Sequence, residues 1–125
     1  MAKTILVVED EESLLTIIDK KLSMNGFEVI TARDIDQSLK SLNETEKIDC
    51  IWLDHYLLGK KDGLDLVIKI KNNDKWKNIP IFVISNTAGS DKIKSYLKLG
   101  IEKYYTKSDY SLGQIVDDIK KELSL

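Results

Sequence analysis

At 125 residues with a single cysteine, Cys50, the chain is long enough to bury the core of one domain, and it excludes an internal disulfide, a paired-cysteine redox site and a Cys-rich zinc site. Its 19 basic and 21 acidic residues leave a formal charge of −2 with no basic tract, which argues against nucleic acid as a direct partner. The first apolar run is too short for a signal-peptide core and no stretch is long enough to span a membrane, so a reducing, cytoplasmic setting is expected.

In chain order, Ile5–Val8 is an apolar, β-branched run with the length of a buried strand. Leu14, Ile18 and Leu22 then recur at helical spacing, Gly26 marks a joint, and Phe27–Thr31 reads as a second strand. Ile35, Leu39 and Leu42 predict a second helix, and Ile48–Leu53 a central third strand. After Gly63, Leu64, Val67 and Ile68 predict a third helix. The stretch Lys69–Lys77 holds four lysines, but Asn72, Asn73 and Asp74 interrupt it, and a solvated helix end and loop is expected. Ile79–Ile84 is the fourth strand, and Ile93, Tyr96 and Leu97 lie on a fourth helix between Gly89 and Gly100. Lys103–Thr106 is a weaker fifth strand. The clearest stripe is the last, Leu112, Ile115, Val116, Ile119 and Leu123, with Asp117, Asp118, Lys120 and Lys121 on the other faces. Strict alternation predicts an α/β fold, (βα)5, in which a doubly wound five-stranded parallel sheet is covered by helices on both faces through right-handed crossovers. One domain over residues 1–125 is expected.

In an open parallel sheet, ligands bind outside the carboxyl ends of the strands. Glu9 to Glu12 follow the first strand, Asp54 the third, Ser85 the fourth and Lys107 the fifth. Glu11 and Glu12 are read as acids at a helix start, where the helix dipole favours negative charge. Glu9 and Asp10 would face Asp54 across the top of the sheet, and carboxylates so close repel unless a cation such as Mg²⁺ sits between them. A carboxylate beside Mg²⁺ is a competent nucleophile toward phosphorus; Lys107 would add a positive charge to phosphoryl oxygens and Ser85 a hydrogen bond. Singly, a turn aspartate, a loop lysine and a capping serine are the ordinary readings, and the four-part pattern is what carries weight. His55, pointing away from its neighbour Asp54, is expected to be an exposed loop histidine, while Cys50 and Trp52 are read as packing.

The opening Ile5-Leu-Val-Val-Glu-Asp-Glu11, the aspartate of Ile51-Trp-Leu-Asp54, Ser85 and the run Gly100-Ile-Glu-Lys-Tyr-Tyr-Thr-Lys107 stand in an order and spacing that resembles the receiver (response regulator) domains of two-component signalling. The resemblance runs along essentially the whole chain. It implies the flavodoxin-like strand order 2-1-3-4-5, and Mg²⁺ held by Glu9, Asp10, Asp54 and the backbone carbonyl of Tyr56. It also implies that Asp54 accepts a phosphoryl group from a histidine kinase or a histidine phosphotransfer protein. Ser85 and Tyr104 match the switch pair and Lys107 the lysine of the site, with Tyr105 a rival to Tyr104 for the inward position. The output would be a change in the surface of the fourth and fifth helices and fifth strand, used to bind another protein, by a monomer or a weak phosphorylation-dependent dimer with no output domain. The chain departs from the family pattern in three places. Asp54 to Gly63 lacks a proline and is one residue longer, Asn86 stands where a small residue is favoured, and Ser108 replaces a proline that follows the lysine in a cis peptide.

These departures motivate a second reading, a degenerate receiver that acts as a phosphorylation-independent interaction module. An enzyme of the same topology is a third. Aspartate-nucleophile phosphatases place a second acid where Tyr56 stands, and flavin-binding relatives cradle phosphate after the first strand, where the acids of this chain would repel it.

Overall fold

The computed structural model describes residues 2–57, 61–86 and 89–124. Strands and helices alternate: β1 (Thr4–Val8), α1 (Glu12–Met24), β2 (Glu28–Ala32), α2 (Ile35–Glu44), β3 (Cys50–Leu53), α3 (Gly63–Lys71), β4 (Ile81–Ser85), α4 (Ser90–Lys98), β5 (Lys103–Thr106) and α5 (Leu112–Glu122). All pairings are parallel in the order β2-β1-β3-β4-β5, the expected doubly wound arrangement, and the chain reverses direction of travel across the sheet between β1 and β3. Gly59, the centre of the lengthened loop, lies outside the described residues.

Side-chain alternation along each strand builds two cores. Ile5, Val7, Cys50, Trp52, Phe82, Ile84 and Tyr105 pack against α1 and α5, whereas Leu6, Val8, Ile51, Leu53, Ile81 and Val83 pack against α2, α3 and α4. Cys50 and Trp52 are therefore packing residues, as expected, and burial pushes the Cys50 thiol well above its usual range. β3 and β4 each begin two residues later than their apolar runs. Pro80 has no N–H to give a ladder, and the Ile79 N–H closes a turn onto the Trp76 carbonyl at 3.0 Å. Before β3, the Asp49 carboxylate takes the Thr4 N–H at 2.8 Å.

Helix starts follow local chemistry. The Asp34 side chain accepts from Gln37 N–H at α2, and reciprocal capping boxes, Asp62 with Asp65 and Ser111 with Gln114, open α3 and α5. The α5 stripe buries Ile115, Val116 and Ile119 as read from its spacing. Two other helices differ from their predicted stripes. α3 turns Leu66, Val67 and Ile70 inward and leaves Ile68 exposed, and α4 buries only Tyr96 while Leu97 faces solvent. Lys69 and Lys71 end α3, and Lys75 and Lys77 follow in an exposed loop, the solvated reading of that stretch.

On the α5 side, the buried Tyr105 hydroxyl donates to Asp118, which also lies 3.2 Å from Lys103. The tyrosine hydrogen bond, with help from Lys103, holds the Asp118 carboxyl below its ordinary value of 3.8. A lowered folded-state pKa adds stability that is complete above the unfolded value and disappears as pH falls through the folded one. Tyr105→Phe is therefore expected to cost about 1 kcal/mol at neutral pH. In urea titrations, this difference from the native protein should shrink below the ordinary aspartate value of 3.8.

Candidate functional site

Parallel register brings the carboxyl ends of β1, β3, β4 and β5 to one edge: Val8 pairs with Leu53, Leu53 with Val83, and Ser85 with Thr106. The residues that follow these strands therefore meet. Asp54 N–H bonds to the Val8 carbonyl at 2.9 Å, Lys107 N–H to the Ser85 carbonyl at 2.8 Å, and Glu9 N–H to the Ala32 carbonyl at 3.0 Å. These backbone bonds anchor three of the charged side chains directly to the sheet.

Glu9, Asp10 and Asp54 each present a carboxylate oxygen, and the three atoms lie within 4.8 Å of one another. Glu9 and Asp54 are buried and Asp10 is half-buried. Lys107 reaches across from β5 and places its Nζ 3.2 Å from Glu9 Oε1 and 3.1 Å from Asp54 Oδ2. Burial, and then the charge of Asp54, push the Glu9 carboxyl up to about 8. Burial opposes the charge on Lys107, but the Asp54 and Glu9 carboxylates outweigh it and its pKa is raised. Two of the three acids, Glu9 and Asp54, thus share the Lys107 ammonium, an environment short of positive charge. The donor set is all oxygen, which suits a hard divalent cation such as Mg²⁺.

Supporting residues fix this cluster in place. Glu9 Oε2 accepts the Glu11 N–H at 3.1 Å, and the Asp54 side chain accepts the Tyr56 N–H at 3.3 Å in a local turn. Arg33, just after β2, donates from Nε at 3.1 Å and Nη2 at 2.6 Å to the backbone carbonyl of Asp10. Sequence reading missed Arg33, because nothing in its local context distinguishes it from a surface arginine. Glu11 and Glu12 sit at the N-cap and first turn of α1, in the helix-start role expected of them. The Tyr56 ring is exposed, with Lys92 Nζ 5.1 Å from its centroid.

Ser85 is fully buried, and its hydroxyl lies near enough to Tyr104 to favour the ionised phenol, although burial outweighs it and raises the Tyr104 pKa. Adjacent positions on β5 point to opposite faces, which separates the two tyrosines. Tyr104 packs on the α3–α4 side with its ring 5.7 Å from that of Tyr96, whereas Tyr105 lies in the α1–α5 core. Tyr105 is the more buried of the two but is on the face away from Ser85. Asn86 and Ser108 are exposed, and no peptide bond among the described residues is cis, including the one between Lys107 and Ser108.

One expectation is overturned. His55 is 2% exposed, with Nδ1 2.6 Å from the Tyr96 hydroxyl and Nε2 3.5 Å from Asp62 Oδ2. Strand alternation does point it away from Asp54, but α3 and α4 cover that side. Burial lowers its pKa despite the nearby Asp62. Gly63, at the start of α3, completes the junction by donating its N–H to the His55 carbonyl at 2.8 Å. A Cβ added there would lie 2.5 Å from the Tyr96 hydroxyl and 3.1 Å from both the Asp54 carbonyl oxygen and His55 Cα. Gly63→Ala is therefore expected to destabilise the fold by about 1–3 kcal/mol, read as a lower denaturation midpoint.

Comparison with known proteins agrees with this geometry. The model of the response regulator receiver domain matches residues 5–120. The alkaline phosphatase synthesis transcriptional regulatory protein PhoP of Bacillus subtilis is 39% identical over 108 residues, which are 86% of this chain and 43% of that protein. The chain thus spans less than half the length of that regulator. Among solved structures, the phosphorylated cyanobacterial phytochrome response regulator RcpA is 31% identical with a TM-score of 0.84, covering 97% of this chain and 93% of its own. The Mn²⁺-bound form of response regulator Rcp1 is 28% identical with a TM-score of 0.82, covering 95% and 92%. With the fold, the strand-end cluster and the family match in agreement, the chain belongs to the receiver domains of two-component response regulators.

Proposed function

We propose that this receiver domain is a phosphorylation-dependent switch in which Asp54 takes a phosphoryl group from a phosphohistidine on a histidine kinase or phosphotransfer protein. The observation that carries this reading is the buried Asp54 carboxylate, grouped with Glu9 and Asp10 and bridged by Lys107. One Asp54 oxygen attacks phosphorus while the phosphorus–nitrogen bond to the donor imidazole breaks and its electron pair stays on that nitrogen. Glu9, Asp10, Asp54 and the Tyr56 backbone carbonyl would hold Mg²⁺, which when bound supplies positive charge against the phosphoryl oxygens. Lys107, already within 3.1 Å of Asp54, pairs with one of those oxygens after transfer. Ser85 donates its hydroxyl to another.

That donation turns the Ser85 hydroxyl away from the neighbouring Tyr104, so phosphorylation changes what Tyr104 packs against. The readout is the α4-β5-α5 surface, recognised by another protein rather than by nucleic acid directly. Two relatives support the reading: RcpA is described as phosphorylated and Rcp1 as Mn²⁺-bound. The test is intact-mass analysis after incubation with acetyl phosphate and Mg²⁺. A single phosphoryl adduct that is lost in Asp54→Asn is expected, and a correctly folded native protein whose mass does not change would overturn the proposal.

A further inference from the structure

The strand-end cluster does not account for the polar pair buried beneath it. His55 is joined to Asp54 by one peptide bond and is engaged at both ring nitrogens by two different helices. Nδ1 meets the Tyr96 hydroxyl, at 2.6 Å, from α4, and Nε2 faces Asp62, at 3.5 Å, the residue that caps α3. Burial raises the Tyr96 pKa, so its hydroxyl keeps a proton to donate. This assigns Nδ1 as the acceptor and Nε2–H as the group facing Asp62.

The Tyr96 ring also stands edge-on to His55, with centroids 5.7 Å apart, and 5.7 Å from the Tyr104 ring on its other flank. Tyr96 is therefore where two chains of contact converge. One runs from Ser85 through Tyr104, and the other from Asp54 through His55. Tyr96 is also the one α4 side chain fully buried among the described residues, so the seating of that helix on the sheet depends on it.

A phenylalanine would fill the Tyr96 volume without burying a hydroxyl. A buried hydrogen bond between two otherwise desolvated groups is costly to leave unmade, so it holds its two partners in a single relative position. A shift of the Asp54–His55 backbone is then followed by α4 or breaks that bond. We infer that His55 and Tyr96 are positioning residues that transmit occupancy of Asp54 to helix α4, along a path separate from the Ser85–Tyr104 pair. This rests on Asp54 as the phosphoryl acceptor. Neither residue touches the reacting atoms, so their effect is on the response of the surface and not on the chemistry.

The test uses beryllium fluoride with Mg²⁺ as a phosphoryl mimic, with uptake followed by fluorine NMR and the response of α4 by amide shifts of residues 90–98. The native protein is compared with Tyr96→Phe, His55→Leu and His55→Asn. Tyr96→Phe and His55→Leu are expected to take up the mimic, but with an α4 response reduced by about twofold or more, the lower end of what side chains linking two sites contribute. His55→Asn, which restores an acceptor near Nδ1, is expected to regain the response.

Full α4 response in Tyr96→Phe overturns the inference. So does a failure of His55→Asn to exceed His55→Leu, because a purely structural histidine would not be rescued by an acceptor. Should Tyr96→Phe fail to fold, the two His55 variants decide by the same comparison. Absence of uptake in the native protein overturns the assignment of Asp54, and this inference with it, whereas equal uptake and equal response overturn the coupling alone.

Discussion

With Asp54 as the proposed phosphoryl acceptor, Asp54→Asn is expected to lose acyl-phosphate formation by more than about 10³-fold while keeping its fold, because the change removes the proposed nucleophile. The amide matches the carboxylate in shape, but its single oxygen can accept only one of the two bonds that Asp54 takes from Tyr56 N–H and Lys107. It cannot supply the negatively charged oxygen that attacks phosphorus. The same variant carries a second, opposite expectation. Asp54 is the main charged neighbour that raises Glu9, so neutralising it relieves repulsion inside a buried cluster. Without divalent cations the variant should unfold at a denaturant concentration no lower than that of the native protein. Its Mg²⁺ affinity, followed by fluorescence of the buried Trp52, should fall by about 10–100-fold, the scale on which a lost metal-site partner acts.

Lys107→Ala separates the two tasks of the cluster. Lys107 is the one ammonium hydrogen-bonded to both Glu9 and Asp54 among the described residues. Losing it removes the charge placed to meet phosphoryl oxygens, and a rate loss of about 10²–10³-fold is expected, as for other preorganised electrostatic donors. Mg²⁺ binding should move the other way. With the competing ammonium gone, the acids gain affinity for the ion by about 10-fold, the scale of one elementary charge acting through a partly solvated site. Phosphorylation kinetics and Mg²⁺ titration on the same variant check both directions, and parallel losses in the two would mean that Lys107 holds the site together mechanically.

Much of this site was legible before any coordinates. Glu9, Asp10, Asp54, Ser85 and Lys107 each stand at or just beyond the end of an apolar run, and in a parallel sheet such positions share one edge. The sequence leaves Tyr104 and Tyr105 as rivals, and the register of β5 on β4, with Ser85 opposite Thr106, is what puts Tyr104 on the side of Ser85. His55 shows where such rules stop. Alternation gives its direction correctly but not what covers that direction, and the cover comes from Tyr96, distant in sequence on α4. Arg33 is the same kind of case, since its guanidinium reaches an Asp10 carbonyl 23 positions away.

Apolar spacing and turn chemistry are local, so composition and pattern alone decided that this chain is an alternating α/β domain with an acidic, oxygen-donor site at the strand ends. Which side chains close that site from beneath, how far Glu9 is pushed from ordinary acid behaviour, and which α3 and α4 residues face inward were left to the tertiary structure. These depend on desolvation and on contacts between segments remote in sequence, and neither quantity exists until the helices are packed on the sheet.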